Sequence, residues 1–98
     1  MTDRELLELA AKAAGLPWDQ WVIDGNDSWN PLTDDGDALR LAVKLCLAVY
    51  PPEGKEDGAT VSCPDPGPWV IEEGGTDPYA ATRRAIVRAA AEIGKDTK

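Results

Sequence analysis

The apolar positions of this chain fall into runs of two periods. Near the N-terminus, Leu6, Leu9, Ala10 and Ala13 share one helical stripe, flanked by Leu7 and Ala14. Thr2 and Glu5 stand at the spacing of a capping box, in which each side chain serves the other residue's backbone N–H. Gly15 offers the left-handed residue that ends a helix, and Pro17 prevents its resumption. The pattern predicts a helix over 3–14. Residues 20–23 read as a short extended segment, Asp24-Gly25-Asn26-Asp27 as a turn, and Ser28-Trp29 as a second extended piece.

A second helix is expected from a Thr33 or Asp34 cap, with Asp34, Asp35 and Asp37 at the positive end of its dipole. Leu39, Leu41, Ala42, Val43, Leu45, Cys46, Leu47 and Val49 leave only a thin polar strip at Asp37, Arg40 and Lys44. Such a helix reads as the buried centre of the domain, ending at Tyr50 before Pro51-Pro52. Leu39, Val43, Cys46 and, later in the chain, Ile86 are the expected core. Residues 59–63 and 69–72 are short β-type runs, and the Pro-rich link between them suits antiparallel pairing without a tight two-residue turn. Asp77-Pro78 opens a last helix with a buried stripe at Tyr79, Thr82, Ile86, Ala89 and Ile93. Arg83, Arg84 and Arg88 are expected to face outward, Gly94 to end the helix, and 95–98 to form a frayed tail.

This order predicts an α+β fold: one domain over 1–98, with a small antiparallel sheet packed with three helices in an α/β/α sandwich-like arrangement. A chain of 98 residues suits one core. With 43% hydrophobic and 29% charged residues it has a globular composition. The formal net charge is −8, and no Lys or Arg occurs from Ala13 to Leu39. A field of that sign repels phosphate backbones, so no direct nucleic-acid partner is expected, whereas a basic protein suits it. No apolar run approaches the roughly 20 residues of a membrane span. The charged start of the chain runs straight into a helix pattern, so no leader and no membrane partner are expected. Cys46 and Cys63 read as reduced thiols of a cytoplasmic protein.

Chemistry-bearing patterns are sparse. The chain has no His, the commonest general base. No phosphate-cradling glycine motif is present, and two thiols without imidazole make a poor zinc set. Asp24, Asn26 and Ser28 have the spacing of the first calcium-loop ligands, but Trp29 stands where that loop needs Gly. The expectation is therefore no catalytic residue, no cofactor and no metal. The candidate interaction residues are Trp29, Asp24, Asp27, Arg84 and Arg88. Trp29-Asn30-Pro31 reads either as a core anchor with a rigid turn or as the wall of a partly open groove. Arg84 and Arg88 share one helix face, Arg83 lies about 100° away, and Arg88 can pair with Glu92.

Two stretches, 29–42 (Trp29-Asn30-Pro31-Leu32-Thr33-Asp34-Asp35-Gly36 onward) and 77–89 (Asp77-Pro78-Tyr79-Ala80-Ala81-Thr82-Arg83-Arg84 onward), carry a resemblance. The chain resembles a family of small uncharacterised bacteriophage and prophage proteins, the phage α/β/α sandwich domain. The likeness extends over most of the chain apart from Val22–Ser28 and Pro51–Gly67. It implies a fold and a bacterial host cytoplasm, and no mechanism. The function expected is a non-enzymatic interaction module acting on a host or phage protein. The alternatives are a small-ligand-binding or hydrolytic domain using acids near Trp29, and a self-associating protein present as a homodimer.

Overall fold

A computed structural model of the chain describes residues 2–15, 30–50, 58–63, 69–72 and 77–96. Among them are three helices and three strands: α1 Asp3–Ala14, α2 Asp35–Lys44, β1 Ala48–Tyr50, β2 Ala59–Ser62, β3 Trp69–Glu72 and α3 Pro78–Asp96. The α+β class is as expected. The extended segments expected at 20–23 and 28–29 lie outside the described residues, as does the turn between them.

α1 starts and stops as its sequence dictates. Thr2 Oγ1 accepts the Glu5 N–H at 3.1 Å, and Gly15 (φ 74°) turns its own N–H back to Ala11 and Lys12. Its buried face is Leu6, Leu7, Ala10, Ala11 and Ala14, with Leu9 partly buried against the core. That face is turned slightly from the expected stripe, towards Leu7 and Ala11.

α2 departs from expectation at its far end. It stops at Lys44, and Ala48–Tyr50 is a strand. The stop is a Schellman turn: Cys46 N–H donates to Val43 O (3.2 Å) and Leu47 N–H to Ala42 O (2.9 Å). Cys46 occupies the left-handed position of this turn (φ 57°), a place glycine usually fills. Cys46 is consequently exposed, not a core residue. Leu39 and Val43 are also exposed, at 64% and 69%. Among the described elements α2 packs chiefly on α3 and buries Asp37, Ala38, Leu41 and Ala42, so residues on its far side gain no cover from them.

The central helix is α3. It packs on α1, α2, β2 and β3, and Ala85, Val87, Ala89, Ala90 and Ala91 are all essentially inaccessible. Asp77 Oδ1 caps it by accepting the N–H groups of Tyr79 (3.0 Å) and Ala80 (3.1 Å). Ile86 is buried as expected, whereas Tyr79 is exposed. The helix runs through Gly94 to Asp96. Gly94 is instead a contact point: a Cβ there would strike the Leu9 carbonyl of α1.

The sheet has the order β1-β2-β3, antiparallel throughout. Pairing sets Val49, Val61 and Val70 in one row and Tyr50, Thr60 and Ile71 in the next. Because alternate residues point to opposite faces, Ala59, Val61 and Val70 enter the core, where all three are buried. Tyr50, Thr60, Ser62, Trp69 and Ile71 stand on the outer face.

Candidate interaction surface

The acids at the start of α2 are absorbed by structure. Asp34 Oδ2 caps the helix by accepting Asp37 N–H at 2.8 Å. Asp37, itself buried, accepts the Asn30 N–H at 2.9 Å and pairs with Arg40 at 3.0 Å. Asn30 Oδ1 accepts Leu32 N–H at 3.1 Å, the local bond expected of an Asn before Pro. Pro31 is fully buried. Asp35 pairs with Arg83, whose Nε also donates to Leu32 O at 2.9 Å. Arg83 thus ties α3 to the turn before α2 and is largely covered, where an outward-facing side chain was expected.

The other two arginines converge on one carboxylate. Glu72 Oε1 accepts from Arg84 at 3.3 Å and Oε2 from Arg88. Arg84 also reaches Asp3 at 3.2 Å, and Arg88 donates to Ile71 O at 3.4 Å. The partner expected for Arg88, Glu92, binds Lys95 instead at 3.0 Å. A shallow cleft of about 340 Å³ runs between Leu6, Glu72, Arg84, Arg88, Glu92 and Lys95. Each of its cations already holds a carboxylate, so the cleft presents paired charges and not a bare cationic site. Trp29, Asp24 and Asp27 lie outside the described residues.

The two thiols differ. Cys63 is buried beneath the sheet and donates Sγ–H to Ala89 O at 3.5 Å. Burial pushes its ionisation above the ordinary thiol value of 9.0, and the negative charge of Glu92 adds to that. Among the described residues no three His, Cys, Asp or Glu side chains come together as a metal site, and no helix is long and apolar enough to cross a membrane.

The outer face of the sheet was not singled out in the sequence. Trp69, Ile71 and Tyr50 are exposed at 64%, 66% and 53%. Trp69 on β3 and Tyr50 on β1 reach over the middle strand towards each other, with ring centroids 6.2 Å apart and planes 13° from parallel. Between them β2 presents Thr60 and Ser62. None of these outward-facing side chains carries a charge, in a chain that is 29% charged. A sequence signal did exist: Trp69 and Ile71 alternate with buried Val70, and that alternation places both on one face. Exposed aromatic residues grouped on an uncharged face mark an interaction surface more often than singly scattered ones do. No protein-family model, curated protein or solved structure matches this chain.

Proposed function

We propose that this chain is a non-enzymatic interaction module that binds a basic protein through the outer face of its sheet. The observation that carries the reading is the uncharged face of Trp69, Ile71 and Tyr50 on a body of net charge −8. Water covers these rings at a cost of about 25 cal/mol per Å² of apolar surface, which a docked partner recovers. The acidic field raises the encounter rate with a cationic partner and rejects nucleic acid. The acids that a hydrolytic site would use at the start of α2 are engaged in caps and ion pairs.

The setting belongs to the same proposal. Two free thiols suit a reducing cytoplasm. The resemblance of 29–42 and 77–89 supports a phage origin and a host or phage partner.

Affinity capture from a bacterial lysate tests the reading, with the native chain and the Trp69→Lys and Ile71→Lys variants as bait. The native chain is expected to retain a basic protein that both variants lose, while circular dichroism shows all three folded. Retention unchanged by either substitution removes the sheet face from the reading.

A further inference from the structure

We infer that the outer sheet face recognises an extended, proline-rich segment bearing Lys or Arg, seated against the Trp69–Tyr50 pair. This inference rests on the interaction-module reading and names the chemistry of its partner. Three observations lead to it.

The first is the ring geometry. Two exposed rings, 13° from parallel with centroids 6.2 Å apart, together form one aromatic face across β2. Proline's rigid ring packs on such faces. A polyproline II segment is extended before binding, so it loses little conformational entropy on docking.

The second is the donor set. A polyproline II backbone has no internal hydrogen bonds, and its carbonyls need donors. The Trp69 indole N–H, the Tyr50 hydroxyl and the Thr60 hydroxyl have no hydrogen-bond partner among the described residues. Aromatic walls with a few free donors match an apolar ligand lined with unsatisfied acceptors.

The third is charge. A second copy of this chain would bring −8 against −8, and nucleic acid would bring phosphates against the same field. A peptide with Lys or Arg is drawn in. Its guanidinium groups also stack on aromatic faces.

Calorimetric titration tests the inference with the full chain and three synthetic peptides. One carries roughly ten prolines flanked by arginines, about 30 Å long at the polyproline rise of about 3.1 Å per residue. The second replaces the prolines by Gly and Ser and keeps the arginines. The third keeps the prolines and replaces the arginines by Gly. The first peptide is expected to bind on the order of tenfold tighter than either control, as loss of one aromatic or charged anchor would dictate. Trp69→Ala and Tyr50→Ala should each weaken it by a similar factor, with both variants still folded and unfolding cooperatively by circular dichroism. Tyr50→Phe, which keeps the ring and removes the hydroxyl, separates stacking from donation.

Equal binding of the proline and Gly/Ser peptides overturns the inference, as does binding indifferent to Trp69→Ala. If no peptide binds but lysate capture still depends on Trp69, the face docks a folded surface, and the inference fails while the module reading stands. If sedimentation shows a dimer that Trp69→Ala dissolves, the occupant is a second copy and the inference fails. If neither peptides nor capture depend on Trp69, both fall.

Discussion

Gly94 of α3 lies against the backbone of Leu9 of α1, so close that a methyl group at position 94 would meet the Leu9 carbonyl oxygen and carbon. The obstacle is main chain, which cannot rotate aside as a flexible side chain can. Gly94→Ala should therefore force the two helices apart, even though Ala is the better helix former. Overpacking of this kind costs about 1–3 kcal/mol. Urea denaturation is the measurement, and a gain in stability would show that α1 and α3 do not meet at this point.

The contact also explains which parts of the fold were legible in the sequence. Four caps and stops made of specific chemistry, Thr2, Gly15, Asp34 and Asp77, act as expected, whereas Gly94, read as a stop, lies inside α3. The antiparallel pairing of 59–62 with 69–72 read correctly as well. The location of the core did not. α2 is rich in Leu and Val and looked central, whereas α3 buries mostly alanines. Small side chains give a weak hydrophobic signal, yet they let helix and sheet backbones approach closely, and Gly94 is the limiting case. The end of α2 was hidden for a related reason: its Schellman turn uses Cys46, which carries no turn signal in sequence. Of the candidate site, Arg84 and Arg88 were found but not their shared partner Glu72, which is distant in sequence.

Cys46 offers a test of that turn. A non-glycine residue in the left-handed region costs about 1–2 kcal/mol, part of which glycine returns through the freedom it adds to the unfolded chain. Cys46→Gly should raise stability by about 0.5–1 kcal/mol, read as a higher urea midpoint with unchanged slope. A loss of stability would mean that position 46 is not left-handed.

The two faces of α2 should respond differently to truncation. Leu41 is 3% exposed, and Leu41→Ala should cost about 2–5 kcal/mol. Leu39 and Val43 are exposed, and Leu39→Ala or Val43→Ala should change stability by less than about 0.5 kcal/mol. Thermal unfolding of the three variants decides the matter, and a large loss at Leu39 would put that side chain inside the core.

The thiols give the last prediction, one of reactivity and pH together. In the native protein Cys46 should be labelled rapidly by a thiol reagent, because it is exposed on a turn. Cys63 should be labelled only on unfolding, because it is buried and its sulfur is turned to the Ala89 carbonyl. Burial first, and Glu92 second, hold the folded Cys63 thiol above 9.0, whereas in the unfolded chain it ionises near its ordinary value. The unfolded state therefore releases this proton at lower pH than the folded state does. The contribution is intact below about pH 9 and is lost as pH rises from there through the raised folded value. Cys63→Ala removes the titrating group, so its stability should fall less steeply than that of the native chain over the same alkaline range. Parallel curves for the two proteins would mean that Cys63 ionises alike in the folded and unfolded chain.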